Sequence, residues 1–118
     1  MLTAALLYQK LFLSYKTKAI MSKQVNVIAT MTLKEGKLEQ VKKVLTELVI
    51  ETRKEVGNIE YWVMEDATKP NTVFSIEKWE SAEAEAKHWE MPHLTTAFAK
   101  IEHHLAAEPS VNKGSVIN

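Results

Sequence analysis

Cysteine is absent from this chain, which excludes disulfides, thiolate metal sites, iron–sulfur clusters and a cysteine nucleophile. The absence suits a reducing compartment, and a cytoplasmic location is the expectation. Arginine occurs once, at Arg53, and there is no glycine-rich loop, so the two usual means of gripping a phosphate are missing. An excess of one charge is missing too: 15 basic residues balance 15 acidic ones, which argues against nucleic acid as a partner. No run approaches the roughly 20 apolar residues that a membrane-spanning helix needs. Repeats and low-complexity tracts are also lacking. What is present is an ordinary globular mix, 46% apolar and 25% charged over 118 residues, enough for one domain.

Residues 1–22 stand apart from the rest. Their apolar run is broken by Lys10, Lys16 and Lys18, and its charges come late, unlike those of a secretory signal. The expectation is that Met21 is the physiological start, that residues 1–22 are an extension, and that residues 23–118 form the domain.

From Gln24 to Leu33, Val25, Val27, Ala29, Met31 and Leu33 recur with a period of two, predicting a first strand. After the turn at Gly36, residues 37–56 carry Leu38, Val41, Leu45, Leu48, Val49 and Thr52 at steps of three and four, one stripe of a long helix. Gly57 follows where a helix C-terminus favours positive φ. Asn58 to Asp66 reads as a second strand, with Ile59, Tyr61 and Val63 on one face and Trp62 and Met64 on the other. Thr68-Lys69-Pro70-Asn71 is a turn, and Val73 to Trp79 a third strand. Ser81 is a helix N-cap, Pro92 interrupts the helix it opens, and Leu94, Phe98, Ile101 and Leu105 mark a second helical segment. Val111 to Ile117 is the fourth strand. The order βαββαβ is that of an α+β ferredoxin-like fold.

Helices cover one face of such a sheet, and the other should be polar if it meets water. Here Ile28, Trp62, Met64, Phe74 and Ile76 alternate with the inner residues, so both faces are apolar. A second copy of the chain packed sheet on sheet is the simplest cover, giving a homodimer.

The segment Ile76-Glu77-Lys78-Trp79-Glu80-Ser81, then His88, then Pro92-His93, together with the opening Asn26-Val27-Ile28-Ala29, the Gly36 turn, Tyr61 and Met64-Glu65-Asp66, resembles the antibiotic biosynthesis monooxygenase family, in particular its quinol monooxygenase branch. The resemblance spans about residues 24–117. It implies a dimeric α+β barrel that oxidises small aromatic, phenolic or quinol substrates with molecular oxygen, with no metal, flavin or haem as cofactor. It implies His88 and His93 as catalytic residues and Trp79, Tyr61, Trp62, Phe74 and Trp89 as the substrate-binding aromatics. Removing a phenolic proton near neutral pH suits histidine, and shielding the reaction from water suits an aromatic pocket.

Each residue has a plainer reading beside this one. Trp79 reads equally as core, Trp62 as interface packing, His88 as a residue of a solvated helix, and His93 as a cap where the helix restarts. His103 and His104 suit the C-terminal end of a helix. A metal is not expected: His88 and His93 are five apart across a proline, against the i, i+4 spacing of helical zinc pairs, and no third ligand is evident. The haem-degrading branch of the same fold has an asparagine on strand one where this chain has Ala29, which argues against that activity. The branch that acts on a phosphorylated signalling sugar is disfavoured by the lone arginine. A non-catalytic binding or stress-response domain of the same fold remains the alternative.

Overall fold

The computed structural model describes residues 23–118. The reading of residues 1–22 as an extension lies outside the described residues. Four strands, β1 (Val25–Thr32), β2 (Asn58–Glu65), β3 (Thr72–Trp79) and β4 (Ser110–Gly114), form one antiparallel sheet in the order β2-β3-β1-β4. Helices α1 (Leu38–Thr52), α2 (Ala82–His88) and α3 (Pro92–Ile101) cover one face, and a 3₁₀ turn (Glu102–His104) leads toward β4. This is the βαββαβ ferredoxin-like arrangement. Among the described residues, no helix is long and apolar enough to cross a membrane.

The stripe on α1 does what its spacing requires: Val41, Leu45 and Leu48 are buried and pack with Leu33, Val73, Ala97 and Ile101 in the main core. A second cluster, Val27, Tyr61 and Trp79, fills the other end beneath the sheet. Burial alternates along β3, with Val73, Ser75, Glu77 and Trp79 turned to the helices and Phe74, Ile76 and Lys78 to the outer face.

Two boundaries and the facing of one residue differ from the periodicity. Helix α1 ends at Thr52, not Val56; Val56 is 93% exposed, because the chain leaves the helix in a series of turns closed by Gly57 at φ +91°. Ile59 does not share the inner face with Tyr61; a register irregularity between Asn58 and Glu60 puts it toward solvent. The last strand is Ser110–Gly114, and Val116 and Ile117 are exposed beyond it.

Two local devices set the placement of α2 and α3. Gly57 sits against α2 so closely that a Cβ there would lie 2.5 Å from the Ala84 Cβ, and its carbonyl accepts from the Glu80 amide at 2.8 Å. The Ser81 hydroxyl accepts from the Ala84 amide at 3.1 Å and caps α2, while Pro92, at the first turn of α3, starts a new helix after α2 stops.

Candidate active site

The turn that closes on Gly57 carries Glu55 inward. Its Oε2 lies 2.6 Å from His88 Nδ1, at the end of α2, and 2.8 Å from His93 Nε2, in the first turn of α3. A carboxylate only accepts, so both contacts place an N–H on the imidazole and leave the other ring nitrogen of each histidine as the acceptor in the neutral ring. Glu55 and His88 are buried, and His93 is partly exposed. The break at Pro92 turns the two rings toward one acid, their centroids 6.3 Å apart, although they belong to different helices.

Around His88 the packing is aromatic. Its ring centroid is 4.9 Å from Trp79, 5.5 Å from Tyr61 in an edge-on contact, and 6.3 Å from Trp89. Trp79 is fully buried, and its Nε1 donates to Glu77 Oε1 at 3.0 Å; the other oxygen of Glu77 accepts from the Ser75 hydroxyl at 2.6 Å. Burial, and after it the nearby carboxylates of Glu77 and Glu55, push the Tyr61 phenol well above its ordinary value. Tyr61 therefore keeps its proton through the physiological range and acts as a donor or as packing, not as a base.

His88, Tyr61, Ser75, Glu77 and Trp89 border a cavity of about 290 Å³ between the sheet and the helices; its remaining lining is apolar, including Met31, Leu45, Leu94, Phe98, Ile101 and Val111. Trp89, half-exposed, is held there by an Nε1–H that donates to Glu85, a buried acid that Lys113 of β4 also meets at 2.8 Å.

The expected site residues thus fall into separate places. His88, Tyr61 and Trp89 border the cavity. Trp79 stands behind His88, outside the cavity lining. His93 reaches the cluster from the opposite side, on an outer groove between α1 and α3. Phe74 borders the cavity, yet it alternates with the buried Val73 and Ser75 and belongs to the outer face. Trp62 lies away from the cavity, 51% exposed, with the Arg53 guanidinium 4.4 Å from its ring centroid. His103 and His104 stand away from the cluster; their carbonyls accept from Lys34.

Glu55, Glu77 and Ser75 escape a reading by residue type, yet each left a trace. Glu55 continues the α1 stripe three residues past Thr52, where an apolar residue is expected. Ser75 and Glu77 are polar at inner positions of β3. The sequence showed no third ligand beside the two histidines, and the structure brings one up: among the described residues, the donor atoms of Glu55, His88 and His93 all lie within 4.8 Å of one another, a spacing that could hold a metal ion.

The model of the family described as antibiotic biosynthesis monooxygenase matches residues 24–100. Among solved structures, one described as an antibiotic biosynthesis monooxygenase is similar at 26% identity and a TM-score of 0.76, covering 80% of this chain and 99% of that one. A conserved protein from Methanosarcina mazei Go1 shares the fold at 23% identity and a TM-score of 0.75, over 80% and 94% of the two chains. An inferred antibiotic biosynthesis monooxygenase from Caulobacter crescentus shares it at 18% identity and a TM-score of 0.78, over 89% and 99%. No curated protein matches the chain by sequence. With the family model spanning everything from β1 through most of α3, the chain belongs to the antibiotic biosynthesis monooxygenase family.

Proposed function

We propose that this protein oxidises a small neutral phenol or quinol with molecular oxygen inside the 290 Å³ cavity, without a prosthetic group, and that His88 is the base that starts the reaction. One observation carries the reading: a buried histidine on the cavity wall has its Nδ1 held 2.6 Å from a buried carboxylate. The Glu55 contact fixes the proton on Nδ1 and supports a positive charge on the ring once Nε2 has taken a proton from the substrate.

The stoichiometry closes without an external reductant. His88 removes a phenolic proton; the resulting quinolate gives one electron to oxygen, and the radical pair combines at a ring carbon as a hydroperoxide. Loss of the ring C–H proton with cleavage of the O–O bond releases water and leaves a hydroxyquinone. One oxygen atom enters the product, the other leaves as water, and all four electrons come from the quinol. The apolar lining keeps water from the radical pair. The cavity lies at the small end of ligand pockets, about 300–1,000 Å³, which favours one or two fused rings.

The charge of the lining separates this reading from its relatives. Among the described residues, Glu77 is the one acid that borders the cavity, and no lysine or arginine does. A phosphorylated sugar or the propionates of haem would give up water there with no cation to meet them. We propose further that a second copy of the chain covers the outer face of the sheet, where Ile28 pairs with Ile76, Ile76 with Trp62, and Phe74 with Met64 across three strands.

Oxygen uptake by chelator-treated protein with a panel of phenols and quinols tests the reading. Uptake should accompany formation of a hydroxyquinone from a quinol, or of a quinone from a phenol, in a one-to-one ratio. His88→Gln keeps a donor for Glu55 but has no basic nitrogen, and should lower turnover by about 10²–10⁴. Full activity in this variant would sink the assignment of the base. Tight quinol binding with no oxygen uptake would favour a binding domain of the same fold.

A further inference from the structure

The Glu55–His88–His93 cluster joins two compartments. His88 borders the inner cavity, whereas His93 borders the outer groove of about 230 Å³ between α1 and α3. The side chains of Glu55 and His88 are each only 3% exposed, and that of His93 is 20% exposed, so the cluster is reached from outside through His93. Glu47 and Glu51 of α1 line the same groove and favour the approach of a cation, opposed by Lys100 in the groove and by Lys54, which pairs with Glu51 at 3.1 Å.

The donor set has a definite chemistry. Two imidazoles and one carboxylate, presented by three segments of the chain, form the set that first-row transition metals take when they leave further positions open. The carboxylate oxygen now sits 2.6 Å and 2.8 Å from the two nitrogens as a hydrogen-bond acceptor. An ion with bonds of about 2.0–2.2 Å to nitrogen and oxygen would hold those atoms roughly 3.3 Å apart, so the oxygen would withdraw by less than about 1 Å, and the two nitrogens, now within 4.8 Å of each other, would draw in as the ion takes the place of the two protons.

We propose that this cluster binds one divalent transition-metal ion of the zinc class through Glu55 Oε2, His88 Nδ1 and His93 Nε2, with the ion entering from the groove beside Glu47 and Glu51. Binding at Nδ1 moves the neutral ring's proton to Nε2. The ion and the base role proposed for His88 therefore exclude each other, and the ion acts as a brake on the cavity, not as its cofactor. The binding stands on the geometry alone; the brake rests on the proposed function.

The test uses the full chain after removal of metals by chelation. Calorimetric titration with zinc chloride should give one ion per chain, and cobalt(II) should develop the intense visible absorption of a low-coordinate nitrogen–oxygen site. Glu55→Gln and His93→Gln, each checked for native circular dichroism, should weaken zinc binding by at least about tenfold. His103→Gln, on the exposed 3₁₀ turn, should leave it unchanged. No stoichiometric binding, or binding that survives in both cluster variants, overturns the site. In protein shown to consume oxygen, one equivalent of zinc should stop uptake. If zinc occupies the cluster and uptake continues, the base role of His88 falls while the site stands. If metal-free protein consumes no oxygen, the oxygenase reading falls while the calorimetry still decides the site.

Discussion

The two faces of the sheet use similar residues to opposite ends. On the helix side, Trp79 is fully buried, donates to Glu77 and supports the ring of His88. On the outer side, Trp62 is half-exposed among Ile28, Met64, Phe74 and Ile76 and lies under the guanidinium of a charged neighbour, Arg53. On the inner side Glu77 pairs with Ser75 and Trp79, and Glu55 with His88 and His93, while the buried Thr52 hydroxyl is left without a partner. The outer face has an apolar centre of Ile28, Trp62, Met64, Phe74 and Ile76, with Asn26, Thr30, Lys78 and Asn112 beside it. A buried polar group is costly unless paired, so the paired set marks where chemistry has been built in. The apolar centre of the outer face has no such network and needs only a cover.

The sharpest way to break the comparison is a charge on the outer face. Met64→Lys should convert a dimer to monomer in sedimentation at micromolar concentration, because an unpaired buried charge costs several kcal/mol, about 3–5. If the unaltered protein already sediments as a stable monomer, the outer face has no second copy over it. Next in size, Trp79→Ala should lower the unfolding free energy by about 3–5 kcal/mol in denaturant titration. Trp62→Ala should instead shift the monomer–dimer equilibrium and leave the monomer's own stability within about 0.5 kcal/mol. Equal losses for the two tryptophans would erase the distinction between the faces.

Gly57→Ala probes the turn that delivers Glu55. Positive φ and the short approach to Ala84 should together cost about 1–3 kcal/mol and reduce turnover, since the turn must shift to admit the methyl group. The smallest effect is a pH slope. The Tyr61 phenol is raised from an ordinary value of 10.0. Below that value folded and unfolded chains both hold the proton, and stability does not depend on it. Above it the unfolded chain loses the proton first, so stability falls as pH rises. Denaturant midpoints at about pH 9 and about pH 11 should diverge more for the unaltered protein than for Tyr61→Phe.

The fold was largely legible because its signals are local. The period of two in β1 and β3, the stripe from Leu38 to Thr52, the Ser81 cap and the Pro92 break each act over a few residues. Where local signals misled, a neighbour in space had intervened: the turn after Thr52 follows α2 through Gly57, and Ile59 yields to a slip in the β2–β3 ladder. The candidate site was half legible. Histidines and tryptophans draw notice by type, but Glu55 and Glu77 are two among many acids, and only burial separates them from the solvated rest. The partnership of His88 with Glu55 spans 33 positions and two helices, and no spacing rule reaches across it.

Strand β4 adds a final consequence. It is five residues long, exposed throughout, and placed at the edge of the sheet against β1 alone. Yet Val111 closes one side of the cavity, and Lys113 ties Glu85, which in turn holds Trp89. A short edge strand is thus one wall of the cavity. Fraying of an edge strand takes far less free energy than global unfolding, so amide hydrogen exchange should run fastest in β4, well ahead of β1 and β3. The cavity would then exchange its contents by peeling at this seam, while the Glu55–His88 pair, anchored by α1 and α2, stays in place.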